Sequence, residues 1–164
     1  MLVVTVRGMC DYCGCRESGP TKELADEHVR LGELSDRLRA AAAEGSDDLA
    51  EVFHEFVHLL GMHAAKEEVG LFPQAAELGF LGDQLDELVH EHEQLHAMLA
   101  DGPSGRSVEA ALKLLAQHID DEEWDLFPHV IHALDPEQWD EIELAHIAVE
   151  EAFAAPSAPG VDEA

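Results

Sequence analysis

Apolar residues recur at three- and four-residue spacing through most of the chain, and glycine- and proline-bearing breaks cut the pattern into five runs. The first run follows "SGPTKE", where Pro20 suits an opening helical turn, and reaches about Glu44 before Gly45. Ser46 is expected to cap the second, with Asp47 and Asp48 in its first turn. That run carries Val52, Phe56, Leu59, Leu60 and His63 on one face and is expected to stop near Pro73. The third covers roughly 83–100, with Leu85, Leu88, Leu95 and Leu99 in register, and "DGPSG" closes it. The fourth covers roughly 107–126, with Ala111, Leu114, Leu115 and His118 in register, and is expected to stop before Pro128. Asp135 and Pro136 open a fifth that ends near Phe153. Beyond the first six residues no alternating strand pattern appears. The expected fold is all-α: an antiparallel four-helix up-down bundle with an additional C-terminal helix. Its boundaries are a cysteine-containing tail at 1–19, the bundle at 20–134, the C-terminal helix at 135–155 and a disordered tail at 156–164.

Composition adds charge and histidine to this outline. A chain of 164 residues can bury a core without disulfide or metal staples, so a metal here would serve chemistry first. Nine basic residues against 36 acidic ones give a formal net charge of −27, which argues against nucleic acid or an anionic membrane as partner. The simplest reading of that charge is a solvated acidic surface. Eleven histidines are a heavy load for this length. The three cysteines, Cys10, Cys13 and Cys15, crowd into "CDYCGC". An odd cluster, with no secretory or membrane-spanning run, leads us to expect reduced thiols and a cytoplasmic protein. Met9 is an alternative start.

One frame occurs twice. "HAAKEEVGLFP", His63 to Pro73, returns as "HIDDEEWDLFP", His118 to Pro128, with the histidine, both glutamates and Leu-Phe-Pro in register. Positions i and i+4 lie about 40° apart on a helix, so His63 with Glu67, and His118 with Glu122, each aim an imidazole and a carboxylate at one point. The same spacing joins His92 to His96, and His28 shares the Leu24 and Leu31 face of the first helix. Buried ionisable groups are costly unless paired or coordinated, and seven converging on one core point to a metal site. Two carboxylates among five imidazoles fit two metals sharing bridging carboxylates, and softness alone allows iron, zinc, copper or manganese.

This ligand pattern, with its "EExxLFP" tails, resembles the hemerythrin-like (HHE cation-binding) family over roughly residues 21–128. The resemblance implies a four-helix bundle around a non-haem centre of two iron ions that meets O2, H2O2 or NO, with a redox partner protein as a further possibility. Carried onto the matching positions, His28 and His63 would hold one iron, His92, His96 and His118 the other, and Glu67 and Glu122 would bridge. Aligning the hairpins puts Leu24 on Leu88, Glu27 on Glu91, His28 on His92 and Leu31 on Leu95, and sets Gly32 against His96. The expected centre is therefore lopsided, with an open position beside Gly32. In oxygen-carrying relatives the last acidic ligand lies five residues after its histidine. Here Glu122 is at +4 and Glu123, at +5, points about 140° from His118 in a regular helix. The +4 spacing is similar to enzymatic, sensing and iron-centre-repair branches. An iron-binding or donor module is thus the alternative function, and any enzyme would be a di-iron oxidoreductase.

Other signals carry less. "HEFVH" and "HEQLH" match a zinc-protease pattern, but His54 and His58 fall on the solvent side of their helix, and His92 and His96 already serve another site. A two-metal hydrolase would lean more on carboxylates. His90, His129, His132 and His146 read as surface or packing residues, and Leu71, Phe72, Leu126 and Phe127 as plugs closing the bundle ends. The "CDYCGC" thiols could bind metal, deliver electrons or respond to oxidants, or be incidental. Tyr12, the only tyrosine, lies outside the bundle, which argues against a tyrosyl radical beside the metals.

Overall fold

The computed structural model describes residues 19–103 and 107–154, so the cysteine motif, Tyr12 and both tails lie outside the described residues. Helix α1 runs Gly19–Glu44, and Gly45 ends it at φ +63, a left-handed conformation that glycine takes without a Cβ clash. The chain returns through Ser46 to α2, Leu49–Lys66. Ser46 does not cap α2 through its side chain; its hydroxyl bonds Asp48 instead, and Asp48 occupies the capping position.

Neither helix expected to end at a proline does so. α2 passes into one wide turn of π-helix, π1 (Glu67–Leu71), and continues as α3 (Phe72–Ala76) through Pro73. After α4 (Gly82–Leu99), helix α5 (Val108–Asp121) does the same, through π2 (Glu122–Leu126) into α6 (Phe127–Ala133) past Pro128. The extra residue in the π turn re-phases the hydrogen-bond ladder, with the Phe72 N–H reaching the Glu67 carbonyl and the Phe127 N–H reaching that of Glu122. A proline placed one step later, at the start of a new helical segment, can then be accommodated. Helix α7 is Pro136–Ala154. It opens on a reciprocal cap in which the Gln138 N–H donates to Asp135 Oδ1 (2.9 Å) and the Asp135 N–H donates to Gln138 Oε1 (3.1 Å).

The result is an all-α four-helix bundle with a fifth, C-terminal helix and no strands among the described residues. α1 pairs with α2 and α4 with α5, while α7 lies across α1, α2 and π1. No helix among the described residues is long and apolar enough to cross a membrane. Two apolar clusters fill the bundle. One gathers Leu24, Leu71, Phe72, Leu88, Leu126, Phe127 and Val130 around the π turns; the other gathers Leu31, Leu38, Phe56, Leu60, Leu95, Leu112 and Leu115 toward the opposite end. Between them lies a buried polar layer of His28, His63, Glu67, His92, His118 and Glu122.

Candidate metal centre

The α1–α2 hairpin supplies His28, His63 and Glu67, and the α4–α5 hairpin supplies His92, His118 and Glu122. All six side chains are at most 1% exposed. His28 Nε2 faces His63 Nε2 at 3.1 Å, and His92 Nε2 faces His118 Nε2 at 3.0 Å. Each carboxylate spans both pairs. Glu67 sets Oε1 3.3 Å from His63 Nε2 and Oε2 3.2 Å from His92 Nε2. Glu122 sets Oε2 3.2 Å from His28 Nε2 and Oε1 3.4 Å from His118 Nε2. Two candidate sites follow, His28–His63–Glu67–Glu122 and Glu67–His92–His118–Glu122, each with donor atoms lying within 4.8 Å of one another.

A second layer of carboxylates holds the four rings. His63 Nδ1 is 2.9 Å from Glu27, His118 Nδ1 2.7 Å from Glu91, His28 Nδ1 3.1 Å from Glu123 and His92 Nδ1 2.8 Å from Glu68. A carboxylate at Nδ1 places the proton on that nitrogen and leaves the Nε2 lone pair aimed inward, the tautomer a metal requires. Glu27 and Glu91 act within their own hairpin, whereas Glu123 and Glu68 reach across to the other. Phenylalanine follows the same crossing: Phe127 stacks on His28 (centroids 5.7 Å apart, planes 1° apart) and Phe72 on His92 (5.9 Å, 9°). Leu71, Phe72, Leu126 and Phe127 are thus buried packing residues, set within a cluster that runs on past both prolines rather than at the bundle ends, and each phenylalanine braces a histidine of the opposite half.

His96 does not join them. It is exposed on α4, so the expected third imidazole of one iron is corrected, and with it the expected lopsidedness about Gly32. The buried arc of α4 runs from Glu91 through Leu95, Leu88, Leu99 and His92 to Leu85. His92 stands near one edge of that arc, and a further step of about 40° carries His96 out of it. His54, His58, His90, His129 and His132 are exposed, while His146 is buried on α7. Glu123, expected to point away, is 2% exposed because it serves His28 rather than the centre itself.

Without a metal the layer is electrostatically frustrated. Neither oxygen of Glu67 or of Glu122 has a hydrogen-bond donor, although all four are buried. Burial, then the neighbouring Glu122 carboxylate, pushes Glu67 well above the usual carboxylate range. Burial also opposes charge on Glu122, yet His118 and His28 hold it below that range. Burial favours a neutral His28, but Glu122 and Glu123 outweigh it and hold the ring up at about 9. His63, with burial dominant and His28 beside it, is pushed down to about 4. Facing Nε2 atoms and orphaned carboxylate oxygens are what two cations would satisfy, and the donor set, imidazole and carboxylate only, is compatible with a non-haem di-iron centre. Iron bound there would supply a redox-active Lewis acid.

The outer partners carried a signal in the sequence, since Glu27 aligns on Glu91 and Glu68 on Glu123 in the repeat. Lys66 carried none. It is fully buried, and its ammonium donates to Glu27 (2.7 Å), Glu150 (2.8 Å) and Glu23, which together hold it protonated against the cost of burial.

No curated protein and no solved structure matches the chain. The family model for the hemerythrin HHE cation-binding domain matches residues 19–130, a span holding all six converging side chains and their four outer carboxylates. The chain belongs to the hemerythrin HHE cation-binding domain family.

Proposed function

We propose that the protein holds two iron ions, one between His28 and His63 and one between His92 and His118, bridged by Glu67 and Glu122. Its role is to bind or react with O2, peroxide or nitric oxide in redox or nitrosative-stress handling. The observation that carries this reading is the spanning of both histidine pairs by each carboxylate. Each position has two imidazole nitrogens and two carboxylate oxygens from the protein, fewer donors than iron accepts, so room remains for an exogenous ligand. The ligands are almost wholly buried, which suits a diatomic or similarly small molecule. A redox partner protein would supply electrons. We also assign it to the cytoplasm, a reading supported by the odd count of three cysteines crowded into "CDYCGC", a pattern that does not suit a disulfide framework. The test is metal content with an aerobic optical spectrum of iron-loaded protein. Two irons with a ligand-to-iron charge-transfer band are expected; one zinc and no such band would sink the reading.

The placement of His96 outside the centre favours a second reading, an iron store or donor for iron–sulfur centre repair. Four protein donors per ion hold iron less firmly than the expected five at one position. Transfer of iron to an apo iron–sulfur protein, set against turnover of peroxide, separates the two.

A further inference from the structure

The inner layer is nearly symmetric between the two hairpins; the layer behind it is not. In the register that sets His63 on His118 and Glu67 on Glu122, Lys66 falls on Asp121. Behind His63, Glu27 accepts from His63 Nδ1 (2.9 Å) through one oxygen and from the Lys66 ammonium (2.7 Å) through the other. Lys66 is pinned there by Glu23 and by Glu150 of α7. Behind His118, Glu91 accepts from His118 Nδ1 (2.7 Å), and no lysine or arginine among the described residues pairs with it. Its neighbour is Asp121, and Asp83, Glu87 and Asp125 line the same surface cleft.

A carboxylate bonded to the far nitrogen of an imidazole raises the ring's basicity toward a metal. Glu27 shares its charge with a buried cation and does this weakly. Glu91 shares with no cation and does it strongly, and the carboxylates around it lower the cost of bringing in positive charge. We infer that Lys66 is a positioning residue that makes the two metal positions unequal, so that a divalent cation fills the His92–His118 position before the His28–His63 position. The inference rests on the two-metal reading above. Loss of an outer partner changes metal affinity by about 10–100-fold, so a preference of about tenfold is expected at one equivalent of metal.

Cobalt(II), titrated into the metal-free full chain, tests this. It shifts the Nδ1–H proton resonances of the histidines that bind it, and loss of lines in His63→Ala and His118→Ala assigns them. At one equivalent the lines of the His92–His118 pair should dominate by about tenfold. Lys66→Met should level the two sets. Because Lys66 is buried and that variant can fail to fold, Asp121→Lys is the companion: its side chain is exposed, and it puts a lysine at the matching place behind His118. It too should level them. Equal filling in the unmodified protein, or a preference unmoved by Asp121→Lys, overturns the inference. Failure of cobalt to bind either pair overturns the two-metal reading itself, whereas two ions bound without order overturn only the ranking.

Discussion

His92 and His96 are four residues apart on one helix, yet the structure gives them opposite surroundings, one at 1% exposure and one on the surface. The i,i+4 relation fixes only that two side chains are neighbours; it does not fix where the buried arc ends. His28 and His63 have buried residues that continue their stripe on both sides, whereas His92 stands near the edge of its own. The two histidines can be told apart by metal stoichiometry. His96→Ala is expected to bind two metal ions with affinity close to that of the unmodified protein. His118→Ala removes an inward nitrogen and should lose its ion, by more than the roughly 10–100-fold that loss of an outer partner brings. Metal content after dialysis, with thermal unfolding as a check on the fold, decides it; a one-ion His96→Ala protein would restore the lopsided centre.

The bundle and its helix order are readable from periodicity because each helix buries a continuous stripe, Leu24–Leu31–Leu38 in α1 and Leu85–Leu88–Leu95–Leu99 in α4 among them. The carboxylates and histidines of the centre are legible for the same reason, as polar residues lying where apolar ones belong. What periodicity misread is the helix ends at Pro73 and Pro128. A proline predicts a stop when the ladder has one phase, and the π turns change the phase just before each proline. Lys66 was illegible because its burial depends on Glu150, eighty-four residues on, and the sequence does not show that α7 returns to cover that spot. The fit of α7 onto π1 is close at one point. A Cβ added to Gly70 would stand 3.0 Å from His146 Cδ2 and 3.3 Å from His146 Nε2, inside normal contact distance, and 3.4 Å from the Ala145 Cβ. Gly70→Ala should therefore push α7 outward and cost about 1–3 kcal/mol, measurable by chemical denaturation. Ala at the matching position of π2, Asp125→Ala, lies on an exposed side chain and should cost far less.

Across the whole molecule, a net charge of −27 surrounds a centre that without metal must hold protons in place of cations. That substitution gives folding stability a pH dependence whose sign follows from His28. Its ring is raised to about 9 in the folded protein, against about 6.5 when exposed. Above about 6.5 the unfolded chain releases this proton while the folded chain keeps it, so the folded state binds more protons and its stability falls with rising pH. The contribution is fully present below about pH 6.5 and is lost as pH passes through about 9. Glu67 and His118, both raised, act in the same direction. His63, lowered to about 4, acts oppositely but only between about 4 and 6.5, where the unfolded chain takes up the proton the folded chain refuses. The metal-free protein should thus lose stability steadily from about pH 6.5 to 9. Once ions occupy the Nε2 lone pairs, His28 keeps only its Nδ1 proton and has no second one to lose, and the fall over that window should disappear, with overall stability raised by the binding free energy. Urea unfolding of metal-free and iron-loaded protein at pH 6.5, 7.5 and 9 checks both halves. A metal-free protein of constant stability across that window would mean that His28 does not keep its second proton, and would weaken the case that the layer is shaped for cations.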